Sequence, residues 1–148
     1  MQADDARLKT LVETVHLFHG LSTGDVQKIF AAGLTMRAQP KDTIFFKDTV
    51  GNQMYVVLGG KIGIYDGPRL LAELGVGDAF GEMSLLLGRK RNATAIALEQ
   101  SMLFVLDEEI FQKLLTKKAA IQILLNLARA LGERLSEANK EIRRIEGH

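Results

Sequence analysis

The chain has 148 residues, 47% of them apolar, enough to bury a full core as one compact unit spanning 1–148. Its 19 Lys and Arg against 18 Asp and Glu leave a net charge of +1, which excludes a broad basic face for nucleic acid and an acidic tail. The absence of cysteine excludes a disulfide framework, a thiolate nucleophile and Cys-ligated metal sites.

Asp4, Asp5, Arg7, Lys9 and Glu13 interrupt the first residues, so no signal-peptide core forms there. No other stretch approaches the roughly 18 apolar residues that a membrane span needs. The expectation is a cytoplasmic protein with no membrane partner. Leu8, Leu11, Val12, Val15 and Leu17 predict an amphipathic helix ending near His19-Gly20. A second helix follows, capped by Ser22 or Thr23, with Asp25 in its first turn and Val26, Ile29 and Phe30 as its apolar stripe. Gly33 ends this helical lead, residues 1–33.

Residues 34–106 change texture to short apolar runs separated by turn residues, the punctuation of an all-β roll or barrel. The runs are Leu34 to Arg37, Thr43 to Phe46, Met54 to Leu58, Lys61 to Tyr65, Leu70 to Leu74, Ala93 to Leu98 and Met102 to Leu106. Gly59-Gly60 joins two of them, which predicts a hairpin pairing Met54–Leu58 with Lys61–Tyr65.

Residues 107–148 return to helical periodicity, with a short helix over Glu108 to Leu115 and a long one from Lys117 to about Ile145. Leu124, Ala128, Leu131, Leu135, Ala138, Ile142 and Ile145 repeat at alternating spacings of four and three, a heptad seam. A single helix lying along the roll accounts for the first half, where Ile121, Leu125 and Leu127 widen the stripe. The second half is narrow and flanked by Glu133, Glu137, Lys140, Glu141, Arg143 and Arg144, which predicts a partner helix and a parallel homodimer.

The chemistry sits between Gly77 and Ala95. Gly81 lets the backbone pass close to a ligand, and Glu82 to Leu87 can form a short helix whose first N–H groups favour an anion. Arg91 follows the turn at Gly88 and brings the forked charge suited to phosphate. Glu82 would repel a phosphate, so its place there makes sense if it accepts hydrogen bonds from another part of the ligand, such as a ribose hydroxyl. A sugar phosphate is implied.

The stretch Phe80 to Ala95 resembles the phosphate-binding cassette of cyclic nucleotide-binding domains, as in bacterial catabolite activators and the regulatory subunits of cAMP-dependent protein kinases. The order of elements matches that family over nearly the whole chain. The resemblance implies a mainly β fold with flanking helices: a double-stranded β-helix, or jelly-roll-like β-roll, with N-terminal helices and a long C-terminal helix. It implies that Gly81 and Glu82 meet the ribose, and that Arg91, Asn92 and Ala93 meet the cyclic phosphate, with Phe80, Met83 and Ser84 in the same segment. Ile64, Leu71, Phe80 and Ala95 fall where apolar residues line the nucleotide, each equally at home as ordinary roll core. Arg134 lies at about the place where the long helix closes over the base; a surface arginine beside the seam is the other reading.

Asn92 departs from the family pattern of Ala in cAMP-selective kinase sites, Thr in cGMP-selective ones and Ser in the bacterial activators. The expected ligand is cAMP, on family frequency, with cGMP open.

Other chemistries fit less well. Gly75-Val76-Gly77 lacks a dinucleotide fingerprint's third glycine, since position 80 is Phe. Arg89-Lys90-Arg91 is too short for a nucleic-acid patch. His16 and His19 have no acidic cluster at ligand spacing, and Ser84 has no nearby base to activate it. The expectation is a binding domain, with neither catalysis nor a metal. In bacterial transcription factors of the family the long helix leads into a DNA-reading unit. With the chain ending at His148, the expectation here is a free-standing sensor, or a regulatory piece acting on a downstream effector, with no direct DNA contact. The alternative is a degenerate roll that has lost its ligand and serves as a dimerisation module, against which Glu82 and Arg91 argue.

Overall fold

The computed structural model describes residues 13–114 and 117–146. The expected first helix falls largely on Leu8, Leu11 and Val12, outside the described residues. Within them, residues 13 and 14 are helical, Val15 is extended, and His16–Phe18 wind as a 3₁₀ turn instead of continuing to His19. Val15, Leu17 and Phe18 are all buried, a spacing that one α-helical stripe does not bury together.

Helix α1 (Thr23–Ala32) starts as predicted: Ser22 is the N-cap and its Oγ accepts from the Asp25 amide at 3.1 Å. The strands follow where the apolar runs place them, as β1 (Leu34–Ala38), β2 (Thr43–Phe45), β3 (Gln53–Gly59), β4 (Ile62–Asp66) and β5 (Arg69–Leu74). A two-residue strand, β6 (Ala79–Phe80), precedes helix α2 (Glu82–Leu87); β7 (Thr94–Ala97), β8 (Ser101–Asp107), α3 (Glu108–Leu114) and α4 (Lys117–Ile145) complete the order.

Among the described residues the strands form two four-stranded antiparallel sheets, ordered β1-β8-β3-β6 and β2-β7-β4-β5. The first sheet is covered on both faces. Met54 and Val56 of β3, with Phe104 and Leu106 of β8, pack against Phe18, Val26, Ile29, Phe30 and Ile123 from the helical segments. The alternate residues Tyr55, Val57, Leu103 and Val105 turn toward Phe80, Ile62, Ala95 and Ala97 inside the roll. Burial on both faces explains why β3 and β8 read as nearly unbroken apolar runs.

The expected Gly59-Gly60 hairpin does not form. β3 already has β8 on one edge and β6 on the other, while β4 lies between β5 and β7 in the second sheet. Gly59-Gly60 is instead a corner where the chain changes sheets. Gly60 has φ of +87°, and a Cβ there would stand 2.2 Å from Ser101 Oγ.

Helix α4 docks by Ala119, Ile123 and Leu127, whereas Ile121 and Leu125, expected to widen the roll-facing stripe, are 51% and 49% exposed. Between the docking residues sits a buried polar side chain. Asn126 Nδ2 donates to the carbonyls of Leu17 and His19, both at 2.8 Å, and its Oδ1 accepts from Gln122 Nε2 at 3.1 Å. Every described residue of α4 from Gly132 onward is exposed; Arg134 still reaches back to the roll, and past it the helix runs on for roughly 16 Å at about 1.5 Å per residue. No helix among the described residues is long and apolar enough to cross a membrane.

Replacing Asn126 with Leu, close in size but without the amide, strands the buried Leu17 carbonyl. Urea unfolding is expected to show a loss on the order of 1–3 kcal/mol with an unchanged slope. A midpoint equal to the parent's would show that these bonds do not hold the helix.

Candidate functional site

The chain between β6 and β7 has to cross from the first sheet to the second, and the site is built on that crossing. Phe80 ends β6 in register with Tyr55. Gly81 then takes φ of +80° as the N-cap of α2, a conformation in which a Cβ would stand 2.8 Å from Arg91 Nη1. Helix α2 stops at Gly88, φ +62°, and Ser84 Oγ donates to the Arg89 carbonyl at 2.8 Å, closing the turn. The Arg91 backbone is tied on both sides to the loop after β2: its amide donates to Thr49 O at 2.8 Å and its carbonyl accepts from the Asp48 amide at 2.7 Å.

This folding brings Glu82 and Arg91 to the wall of one cavity of about 310 Å³. Of the sequence-predicted site residues, Phe80, Gly81, Met83, Ser84, Asn92 and Ala93 line it from the crossing itself. Ile64 and Leu71 line it from β4 and β5, and Arg134 from α4. Ala95 does not reach it; that side chain is fully buried in the core inside the roll. Sequence reasoning did not assign Phe45, Ala72, Leu74 or Lys90 to the site, and they also line the cavity. Ala72 had a usable signal, since β5 pairs antiparallel with β4 and sets Ala72 opposite Ile64.

The two buried charges are treated differently. Glu82, 6% exposed, accepts through Oε1 from Arg134 Nη1 at 2.9 Å, and Arg134 Nη2 also donates to the Ala79 carbonyl at 3.1 Å. Arg91, 5% exposed, forms no ion pair with any carboxylate among the described residues. Its Nη1 donates to the Gly81 carbonyl at 3.0 Å, and its Cζ lies 4.2 Å from the centroid of the Phe45 ring and 5.8 Å from that of Tyr55. Burial holds the guanidinium below its ordinary pKa, offset in part by Tyr55 and Glu82. Burial likewise pushes the Tyr55 phenol up, against the charge of Arg91. A buried cation without a counter-ion, opening on a cavity, is suited to an anion.

The profile of the cyclic nucleotide-binding domain family matches residues 35–118. The Cyclic AMP receptor protein of Thermus thermophilus is 35% identical over 134 residues, covering 85% of this chain and 60% of its own length. The crystal structure of Thermus thermophilus Catabolite Activator Protein is similar with a TM-score of 0.76 at 33% identity, over 88% of this chain and 63% of that one. A cyclic nucleotide-binding domain from Methylobacillus flagellatus shares the fold, with a TM-score of 0.79 at 23% identity over 91% of this chain and 83% of its own.

The Glu82–Arg134 pair joins the crossing to α4 with one partner half exposed, so it is expected to contribute modestly. A stability cycle of Glu82→Gln, Arg134→Gln and the double variant should give a coupling of roughly 0.5–1 kcal/mol that shrinks with added salt. No coupling would mean that α4 is held by its apolar and Asn126 contacts alone.

Proposed function

The chain belongs to the cyclic nucleotide-binding domain family, and from that premise we propose that it is a sensor for cAMP rather than an enzyme. The observation that carries the reading is Arg91: a guanidinium buried on a cavity wall, held by a carbonyl and an aromatic face, with no carboxylate of the described residues paired to it. A cyclic phosphodiester supplies one negative charge at that point. In this reading Asn92 and Ala93, which line the cavity beside Arg91, complete the phosphate subsite, and Glu82 accepts from the ribose hydroxyl. Ile64, Leu71, Ala72, Leu74 and Phe80 offer the base an apolar wall. The alternative of a roll that has lost its ligand leaves the buried, unneutralised Arg91 without a purpose. The preference for cAMP rests on the family and on the name of the Thermus thermophilus relative; Asn92 is the residue on which discrimination against cGMP turns.

The nucleotide acts on the long helix. Glu82 belongs to the ribose subsite and also holds Arg134 of α4, so ligand at the crossing bears on where that helix sits. A ligand shifts such an equilibrium only by its differential affinity for the two helix positions. Beyond its docked half, α4 carries Leu135, Ala138, Ile142 and Ile145 as an exposed stripe, with Leu135 63% and Ile145 76% exposed, and it takes a second copy of the chain in parallel. The chain spans about three fifths of the length of its Thermus thermophilus relative, and the output lies with a downstream effector, in the same polypeptide or another.

Isothermal titration with cAMP and separately with cGMP is expected to show micromolar or tighter binding with cAMP preferred, and Arg91→Ala should cost on the order of 2–5 kcal/mol of it while leaving the fold intact. Unchanged affinity in that variant would remove Arg91 from the site; no heat with either nucleotide, after checking that none copurified, would favour the dimerisation module. Light scattering should give twice the 16.3 kDa chain mass, falling to the single mass in Leu135→Asp with Ile142→Asp. A monomeric parent would overturn the helix pairing.

A further inference from the structure

Arg91 sits in a slot that the rest of the cavity does not explain. The ring of Phe45, the last residue of β2, lies against its guanidinium with Cζ 4.2 Å from the centroid. The slot has a second wall at Gly51, in the loop between β2 and β3. A Cβ on Gly51 would stand 2.5 Å from Arg91 Nη2, 2.8 Å from Nε and 2.9 Å from Cζ. The backbone of the same loop holds the Arg91 peptide through the Thr49 carbonyl and the Asp48 amide. Asp48 has φ of +67°, a left-handed conformation uncommon outside glycine.

We propose that Phe45 and Gly51 are positioning residues for anion binding: β2 and the loop after it form a clasp, with Phe45 fixing the plane of the Arg91 guanidinium and Gly51 leaving the space for it. The proposal rests on the reading of Arg91 as the phosphate ligand. An aromatic face attracts a cation without neutralising it, which a carboxylate in the same place would do. The charge is thereby immobilised and still available. The choice of arginine follows as well: a planar group stacks on the ring and slides past a bare backbone, whereas a lysine ammonium fills neither requirement.

Gly51→Ala is the clean perturbation. Gly51 has no left-handed φ, so alanine is conformationally allowed there, and what its Cβ displaces is the movable end of Arg91. Titrated with cAMP, Gly51→Ala and Phe45→Leu are each expected to bind about tenfold more weakly, and Phe45→Tyr, which keeps the ring face, to recover most of the loss. In an Arg91→Lys background Gly51→Ala should add less than about twofold, since the group it displaces is gone. A second readout needs no nucleotide. The Arg91 Nε–H resonance, assigned by its absence in Arg91→Lys, is expected to lie apart from those of the other arginines through the Phe45 ring current, and to move toward them in both Phe45→Leu and Gly51→Ala. Parent-level affinity in Gly51→Ala, or an Nε–H signal indifferent to both substitutions, overturns the clasp. Failure of the parent protein to bind cAMP while the Nε–H signal responds as described would overturn the nucleotide reading and leave the slot standing.

Discussion

The chain has to pass from β6 in the helix-covered sheet to β7 in the other sheet, and the rest of the site depends on how it makes that passage. A plain turn would suffice for connection. The chain instead inserts a left-handed glycine, a helix of six residues and a second left-handed glycine, and so returns Arg91 to a point beside Gly81. The cost is the burial of a cation that no carboxylate among the described residues pairs with, which the surroundings answer with a carbonyl and two aromatic rings. Phe45, Tyr55 and Phe80 come from three strands, with centroids 5.2 to 5.9 Å apart, so both sheets help to form the bed on which the charge lies.

Most of this was legible in the sequence where one residue type serves one local purpose. The Ser22 cap, the glycines at 81 and 88 and the apolar runs of β1 to β5, β7 and β8 each obey short-range rules, and they fall where those rules put them. The crossing was legible because Gly81, Glu82 and Arg91 together make little sense except around a ligand. What escaped was decided by tertiary competition. Gly59-Gly60 has the composition of a hairpin turn, but one edge of β3 pairs over six positions with β8 and the other is taken by β6, leaving the glycines to turn a corner. Ala95 belongs to an alternating strand, and nothing in alternation says whether an inward residue meets a cavity or another side chain. Phe45 stood in an apolar run, where its role toward a cation distant in sequence leaves no periodic trace. β6 is two residues long, below what any pattern can register.

Helix α4 shows the same contrast along its own length. Its first half is held by apolar packing and by Asn126, whose amide reaches two carbonyls more than a hundred residues away in sequence. The seam read as a heptad lies on a different face, with Leu124, Leu135, Ile142 and Ile145 exposed. The stripe against the roll and the exposed stripe proposed to meet a second copy are therefore separate surfaces of one rod, and periodicity alone merged them into a single broad one.

A carboxylate has two oxygens, and Arg134 takes Oε1 of Glu82. On the proposed reading the sugar and the helix are then not rivals for Glu82, since one oxygen can serve each. The residue works as a logical conjunction: its full complement of hydrogen bonds is reached only when ligand is in the roll and the helix is down. A ligand lacking the sugar hydroxyl would fill the phosphate slot and still leave that conjunction unmet, occupying the protein without reporting its presence.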